Sequence, residues 1–185
     1  MRVIAGSFKG HKLFTPKGNS IRPTSDRIRE FIFSCREINV QDANVADLFC
    51  GTGSLGIEAL SRGAKSVVLV DNSYAATELV KKSLEKLKMN TKAYHVYKMS
   101  VAAFLHFAAR ENFVFDYFFC DPSYQFEFFD NVLEQICANH LLADEGNIVY
   151  ESSSRSIAPA QEKYAISRQK IIGDTQITFY RLKNE

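Results

Sequence analysis

The chain has 185 residues, 46% of them apolar, with 23 basic and 21 acidic side chains and a formal charge of +2. That length makes one domain, or one with a small appendage, and leaves enough apolar material for an ordinary core. There is no run long enough to span a bilayer, no apolar leader at the N-terminus, and no CxxC pair among Cys35, Cys50, Cys120 and Cys137, so membrane, disulfide-scaffold and zinc classes are set aside and a cytoplasmic protein is expected.

The charge is unevenly spread. Residues 1–40 carry eight basic side chains, among them Arg2, Lys9, Lys12, Arg22 and Arg27, against Asp26, Glu30 and Glu37. A basic end on a near-neutral body is an anion-facing surface, expected to meet nucleic acid. Residues 2–5 and 12–15 read as two short strands around a turn through Gly6 and Gly10. After a loop at 16–20, Thr24 or Ser25 caps a helix, and Asp26 suits its positive end. Ile28, Phe31, Ile32 and Cys35 fall on one face of that helix; Arg29 and Arg36 lie off it and are expected to point outward. The polar stretch 41–44 is the candidate boundary between an extension, residues 1–40, and a main domain, residues 41–185.

Val45-Ala46-Asp47-Leu48-Phe49 is an apolar strand that runs into Cys50-Gly51-Thr52-Gly53-Ser54-Leu55-Gly56. Gly51 and Gly53 permit positive φ and present no Cβ to a ligand. Ser54 is expected to cap a helix over 55–62 that Gly63 ends. The spacing fits G-x-G-x-x-G, and the following strand, 66–70, closes on Asp71, 20 residues past the first glycine, where a ribose hydroxyl partner is expected. A phosphate loop needs backbone N–H groups facing an anion. Asp47 at the mouth of this loop suits a cation instead, so the pattern favours S-adenosylmethionine, with its ammonium and sulfonium, over a dinucleotide.

Helix and strand then alternate: a helix over 74–88 with lysines on its wet face, a strand over 93–98, a helix from Ser100 to about Arg110, an apolar strand over 115–120, a helix over 128–139 and a strand over 147–151. Two β-rich runs, 164–172 and 175–182, meet at Gly173-Asp174 as a hairpin. This order predicts a doubly wound, mostly parallel seven-stranded sheet of Rossmann-like, class I methyltransferase type, finished by an antiparallel hairpin. Ligands of such sheets bind beyond the carboxyl ends of the strands. Three of those ends carry acids: Asp47, Asp71 and Asp121.

Asp121-Pro122-Ser123-Tyr124 follows the fourth strand directly. The Asp121 carboxylate and the Pro122 carbonyl can each accept one hydrogen of an exocyclic –NH2, and Tyr124 can stack on its ring. Two acceptors that hold those hydrogens aim the nitrogen at an electrophilic methyl. No histidine falls into a ligand cluster, and no metal is expected.

With Arg2-Val3-Ile4-Ala5-Gly6, Lys9-Gly10, Arg22-Pro23-Thr24-Ser25-Asp26-Arg27, the Asp47–Gly53 loop, Glu58-Ala59-Leu60-Ser61-Arg62-Gly63-Ala64 and Asp121-Pro122-x-Tyr124, the chain resembles the RsmD-type family. These are bacterial methyltransferases of a guanine exocyclic amine (N2) in 16S ribosomal RNA of the small subunit. The resemblance implies that Asp47, Phe49, Gly51 and Gly53 hold the donor's methionine end. It further implies that Asp71 with Asn72 holds the ribose and that Ser100 and Val101 flank the adenine. Thr24 and Asp121 would border the donor. Asp121, Pro122 and Tyr124 would hold the target base. Arg2, Lys9, Lys12, Arg22 and Arg27 would face RNA, either free or within an assembling small subunit, with the protein a monomer. Ser123 stands where the family usually has a second proline, which restores an N–H and loosens φ. Adenine-N6 methylation of DNA or RNA, and a non-catalytic donor-binding assembly factor, are the alternative functions. A carbon-5 pyrimidine reaction needs a thiol after the motif's proline; Cys120 lies before Asp121.

Overall fold

Strands that a parallel sheet buries on both faces need near-continuous apolar sequence, and the central strands here have it. The computed structural model describes residues 1–15, 25–123, 126 and 128–183. Among them β1 (Asn44–Leu48), β2 (Ser66–Asp71), β3 (Tyr94–Lys98), β4 (Phe115–Cys120), β5 (Leu142–Ser153), β6 (Tyr164–Ile172) and β7 (Thr175–Leu182) form one sheet in the order β3-β2-β1-β4-β5-β7-β6. The first five strands pair in parallel; β7 runs antiparallel to both β5 and β6.

Helices cover both faces. Helices α1 (Asp26–Ser34), α2 (Ser54–Ser61) and α3 (Tyr74–Lys86) share one apolar cluster with Val45, Val67 and Leu69, and Val3 and Leu13 of the N-terminal segment join it. Helices α4 (Val101–Arg110) and α5 (Phe129–Ala138) pack with Leu48, Val70, Phe118 and Cys120 on the other face. Alternation along β1 does this sorting, since successive side chains of a strand point to opposite faces. No described helix is long and apolar enough to cross a membrane.

Most element positions agree with the sequence reading to within a few residues, and the differences have physical causes. The paired strands expected at 2–5 and 12–15 reduce to a single bridge, Arg2 with Lys12. Val3 donates to the His11 carbonyl and Leu13 to the Met1 carbonyl across that bridge, but past Val3 the backbone turns to α2. Ile4 and Ala5 donate their N–H groups to the Glu58 carboxylate at 2.8 and 2.9 Å, and Ser7 donates to the Ser61 carbonyl at 2.8 Å. The same contact overturns the outward placement of Arg29. The Arg29 side chain is fully buried, because the N-terminal segment covers that flank of α1. It donates to the Arg2 carbonyl at 2.8 Å and to Asp26 at 2.6 Å, and lies 3.7 Å from Glu58. Arg36 is exposed as expected.

Ser54 is the first residue of α2 rather than its cap: Gly53, at φ 72°, occupies the cap position and no side chain bonds there. Ser25 does cap α1, accepting from Ile28 at 3.2 Å. The loop at 16–20, Arg22 and Thr24 lie outside the described residues. β5 is longer than the expected 147–151 and runs on through Ser152 and Ser153, because β7 pairs with it as far as Ser153.

Gly6 shows how closely the N-terminal segment seats on α2. Its φ is +79°, and a Cβ there would lie 1.8 Å from the Ser61 carbonyl oxygen; Gly10 has nearly the same φ, +84°, with open space around it. Gly10→Ala therefore carries only the left-handed backbone penalty, about 1–2 kcal/mol. Gly6→Ala adds overpacking of about 1–3 kcal/mol. Urea unfolding of the two variants is expected to separate them in that order. In Gly6→Ala alone, the Ile4 and Ala5 amides are expected to lose hydrogen-exchange protection.

A candidate active site at the carboxyl ends of β1 and β4

β1 and β4 are neighbours and parallel, with Leu48 opposite Cys120. The two loops that follow them therefore open side by side. The chain leaves β1 into α2 on one face of the sheet and leaves β4 toward α5 on the other, the arrangement at which open α/β sheets take ligands in a crevice.

The first loop is held from β2. Cys50 donates to the Val70 carbonyl at 2.9 Å, and Gly51 donates to Asp71 Oδ2 at 2.8 Å. Gly53 closes the turn with a 2.6 Å bond to the Cys50 carbonyl. A Cβ on Gly53 would meet Val80 Cγ2 at 2.9 Å, so both space and φ require glycine. Phe49 leaves β1 at φ 61°, an uncommon value for a bulky side chain and a form of strain that gathers at functional loops.

Asp47 is 1% exposed and accepts the Gly56 N–H at 2.8 Å. Burial pushes its carboxyl up to about 8, opposed by the Gly56 bond and reinforced by the negative charges of Asp121 and Asp71. The three acids expected at the strand ends thus do converge closely enough to feel one another. Asp71 Oδ1 also accepts the Ser73 N–H at 2.8 Å, so each of its oxygens braces backbone and keeps a lone pair for a ligand. Asn72 is exposed beside it. Ser100 caps α4, accepting from Ala103 at 3.2 Å, and Val101, buried, opens that helix. These two sit at the end of β3, beyond β2 from the crevice.

On the β4 side Asp121 is half-buried, Pro122 buried and Ser123 exposed; Tyr124 lies outside the described residues. Cys120 and Cys50 are buried thiols that burial pushes well above the ordinary range. Burial thus favours the protonated thiol at both positions. Arg2, Lys9, Lys12 and Arg27 are exposed, and Arg2 and Lys9 line a surface groove of about 340 Å³ together with Asp26 and Glu30. Sequence reasoning missed Phe126, which packs edge-on against Phe49 with ring centroids 4.9 Å apart. A positional motif that stops at Tyr124 gives no signal for it.

A sheet of this order, with helices on both faces and an acid-bearing glycine loop after β1, is the class I methyltransferase fold. Residues 1–181 match the family described as Conserved hypothetical protein 95. YlbH of Bacillus subtilis is 35% identical, with 98% of each chain aligned. The ribosomal RNA small subunit methyltransferase D of Haemophilus influenzae is 31% identical over 98% of this chain and 92% of that one. The solved structure of yhhF from Escherichia coli superposes with a TM-score of 0.86 at 30% identity, covering 100% of this chain and 99% of that one. The chain belongs to the family of ribosomal RNA small subunit methyltransferase D.

Asp47 makes a stability prediction with a definite sign. Its native carboxyl titrates near 8 against an ordinary 3.8, so the native state holds the proton more tightly than the unfolded chain. The associated stability is complete below about pH 4 and is lost as pH rises to about 8. Asp47→Asn, whose amide oxygen can still accept from Gly56, is expected to flatten that decline and to exceed wild type at pH 8. Urea midpoints at pH 5, 6.5 and 8 are the measurement; equal slopes for the two proteins would sink the assignment.

Proposed function

We propose that the protein transfers a methyl group from S-adenosylmethionine to the N2 amine of a guanine in 16S ribosomal RNA. The observation that carries the reading is the parallel pairing of β1 with β4, which sets the acid-bearing glycine loop and the Asp121-Pro122 turn on the same edge. The donor supplies an electrophilic methyl on sulfur.

The pocket chemistry fits that donor. Asp47, buried and pressed by two other acids, gains most from a ligand that brings positive charge. Gly51 and Gly53 leave room for the methionine end beside Phe49, Asp71 and Asn72 receive the ribose, and Ser100 and Val101 border the adenine. Thr24 would close on the donor from the N-terminal side. Asp121 and the Pro122 carbonyl accept the two hydrogens of the amine, which turns the nitrogen lone pair toward the crevice. Tyr124 stacks on the base. The base leaves its helix first, because a paired amine cannot be approached. Its proton passes to solvent after transfer, so no strong base is needed. The exposed Arg2, Lys9, Lys12 and Arg27, with Arg22, take the RNA phosphates. The protein acts as a cytoplasmic monomer, on RNA free or within an assembling small subunit.

Methyl transfer to small subunits from cells lacking the enzyme tests this directly. Asp121→Ala is expected to abolish transfer while donor binding persists, and Tyr124→Ala to lower transfer more than donor affinity. Transfer that survives Asp121→Ala would remove the proposed role. The donor site has its own test, by calorimetry between pH 6 and 8. An ammonium group stabilises the Asp47 carboxylate, so binding expels its proton and tightens as pH rises toward 8. Asp47→Asn is expected to bind more weakly and without that dependence.

A further inference from the structure

The crevice has a second aromatic feature that the motifs do not cover. Phe49, Phe126 and Phe128 form a ladder of edge-on rings: Phe126 meets Phe49 at 4.9 Å and Phe128 at 6.3 Å, with ring planes at 62° and 83°. The Phe126 N–H donates to the Ser123 carbonyl at 2.8 Å, and its ring lies against Phe49. Phe49 and Phe126 pack against the core cluster that holds Leu48, Cys120 and Phe129. The foot of the ladder is thus anchored in the interior while its top rung stands in water. Phe128, at the cap position of α5, is 63% exposed and makes no capping bond. An aromatic ring held in this way at a helix start offers a flat apolar surface that water serves poorly.

Its place in the sheet decides what it faces. The adenine of the donor is assigned to the ends of β2 and β3, on the far side of β1 from β4. Phe128 lies beyond β4, on the side of the target base, seven residues past Asp121. Asp130, exposed in the first turn of α5, repels phosphate from this corner, so the ring is suited to a base and not to the RNA backbone. The basic side chains sit across the sheet edge, on the N-terminal segment packed against α2.

We infer that Phe128 is a stacking platform for a base adjacent to the methylated nucleotide in single-stranded RNA. The inference rests on the RNA-methylation reading and extends it to a binding subsite. When a base is drawn out of its stack, its neighbour loses a partner. A ring at the mouth of the crevice replaces that partner and holds the strand open, and such stacking tolerates any base.

The test is equilibrium binding of a single-stranded RNA oligomer carrying 2-aminopurine, a base whose fluorescence is quenched by stacking, to wild type, Phe128→Ala and Phe128→Tyr. Phe128→Ala is expected to lose about tenfold in affinity, the scale of one base on one ring, and to lose the quench. Phe128→Tyr is expected to keep both. Affinity and quench unchanged in Phe128→Ala overturn the inference, as does an equal loss in both variants. A rise in KM on assembled subunits with no change on the naked oligomer also overturns it, because the ring would then meet a protein. Methyl transfer by the wild-type enzyme is scored separately. RNA stacking at Phe128 without transfer sinks the catalytic reading alone, and transfer with an unaltered Phe128→Ala sinks the platform alone.

Discussion

Everything at the site depends on one backbone pairing, β1 beside β4 in parallel. A parallel pair puts both carboxyl ends at the same edge, and the helices that follow leave on opposite faces, so the loops between must part. Without that pairing Asp47 and Asp121 would belong to different parts of the molecule. With it, the turn after β1 and the turn after β4 open on the same edge of the sheet. β2 adds the brace, through Asp71 on the Gly51 N–H, that keeps the first turn from collapsing into the opening.

Two buried carboxylates near α2 show how the same chemical group builds in one place and waits in another. Glu58 is surrounded by donors: the backbone of Ile4 and Ala5 and the side chain of Arg62 all bond to it, and the buried Arg29 lies beside it. It fastens the N-terminal segment to the helix that the glycine loop launches, and a buried charge so fully paired is stable only as a set. Asp47, whose one hydrogen bond among the described residues comes from Gly56, faces other acids. Glu58 thereby fixes the basic segment in register with the loop, while Asp47 keeps unspent the affinity that the proposed donor would use.

The sequence made the alternating pattern plain, because a strand covered on both faces must be apolar throughout and a helix on a sheet must repeat its apolar face every three to four residues. Phe115–Cys120 and α4 could be placed for that reason. The hairpin β6–β7 was legible from Gly173-Asp174 between two β-rich runs. Arg29 was not: helical spacing sets an angle around the axis but says nothing about a second segment that comes to cover that angle. The N-terminal pairing is shorter than expected on the same ground, since β-propensity does not reveal that Glu58 and Ser61 take the amides of Ile4, Ala5 and Ser7.

What the chain determined by itself was local: the loop glycines, the acids at three strand ends, the proline turn after β4, the Ser25 cap and the helix start at Ser100, each a matter of φ, size or hydrogen bonding within a few residues. Only the tertiary structure decided the state of those groups. The burial that drives the Asp47 carboxyl upward, the enclosure of Arg29 and the ring ladder from Phe49 to Phe128 all depend on groups brought together from distant positions. Desolvation and long-range contact are properties of the packed whole, and no window of sequence contains them.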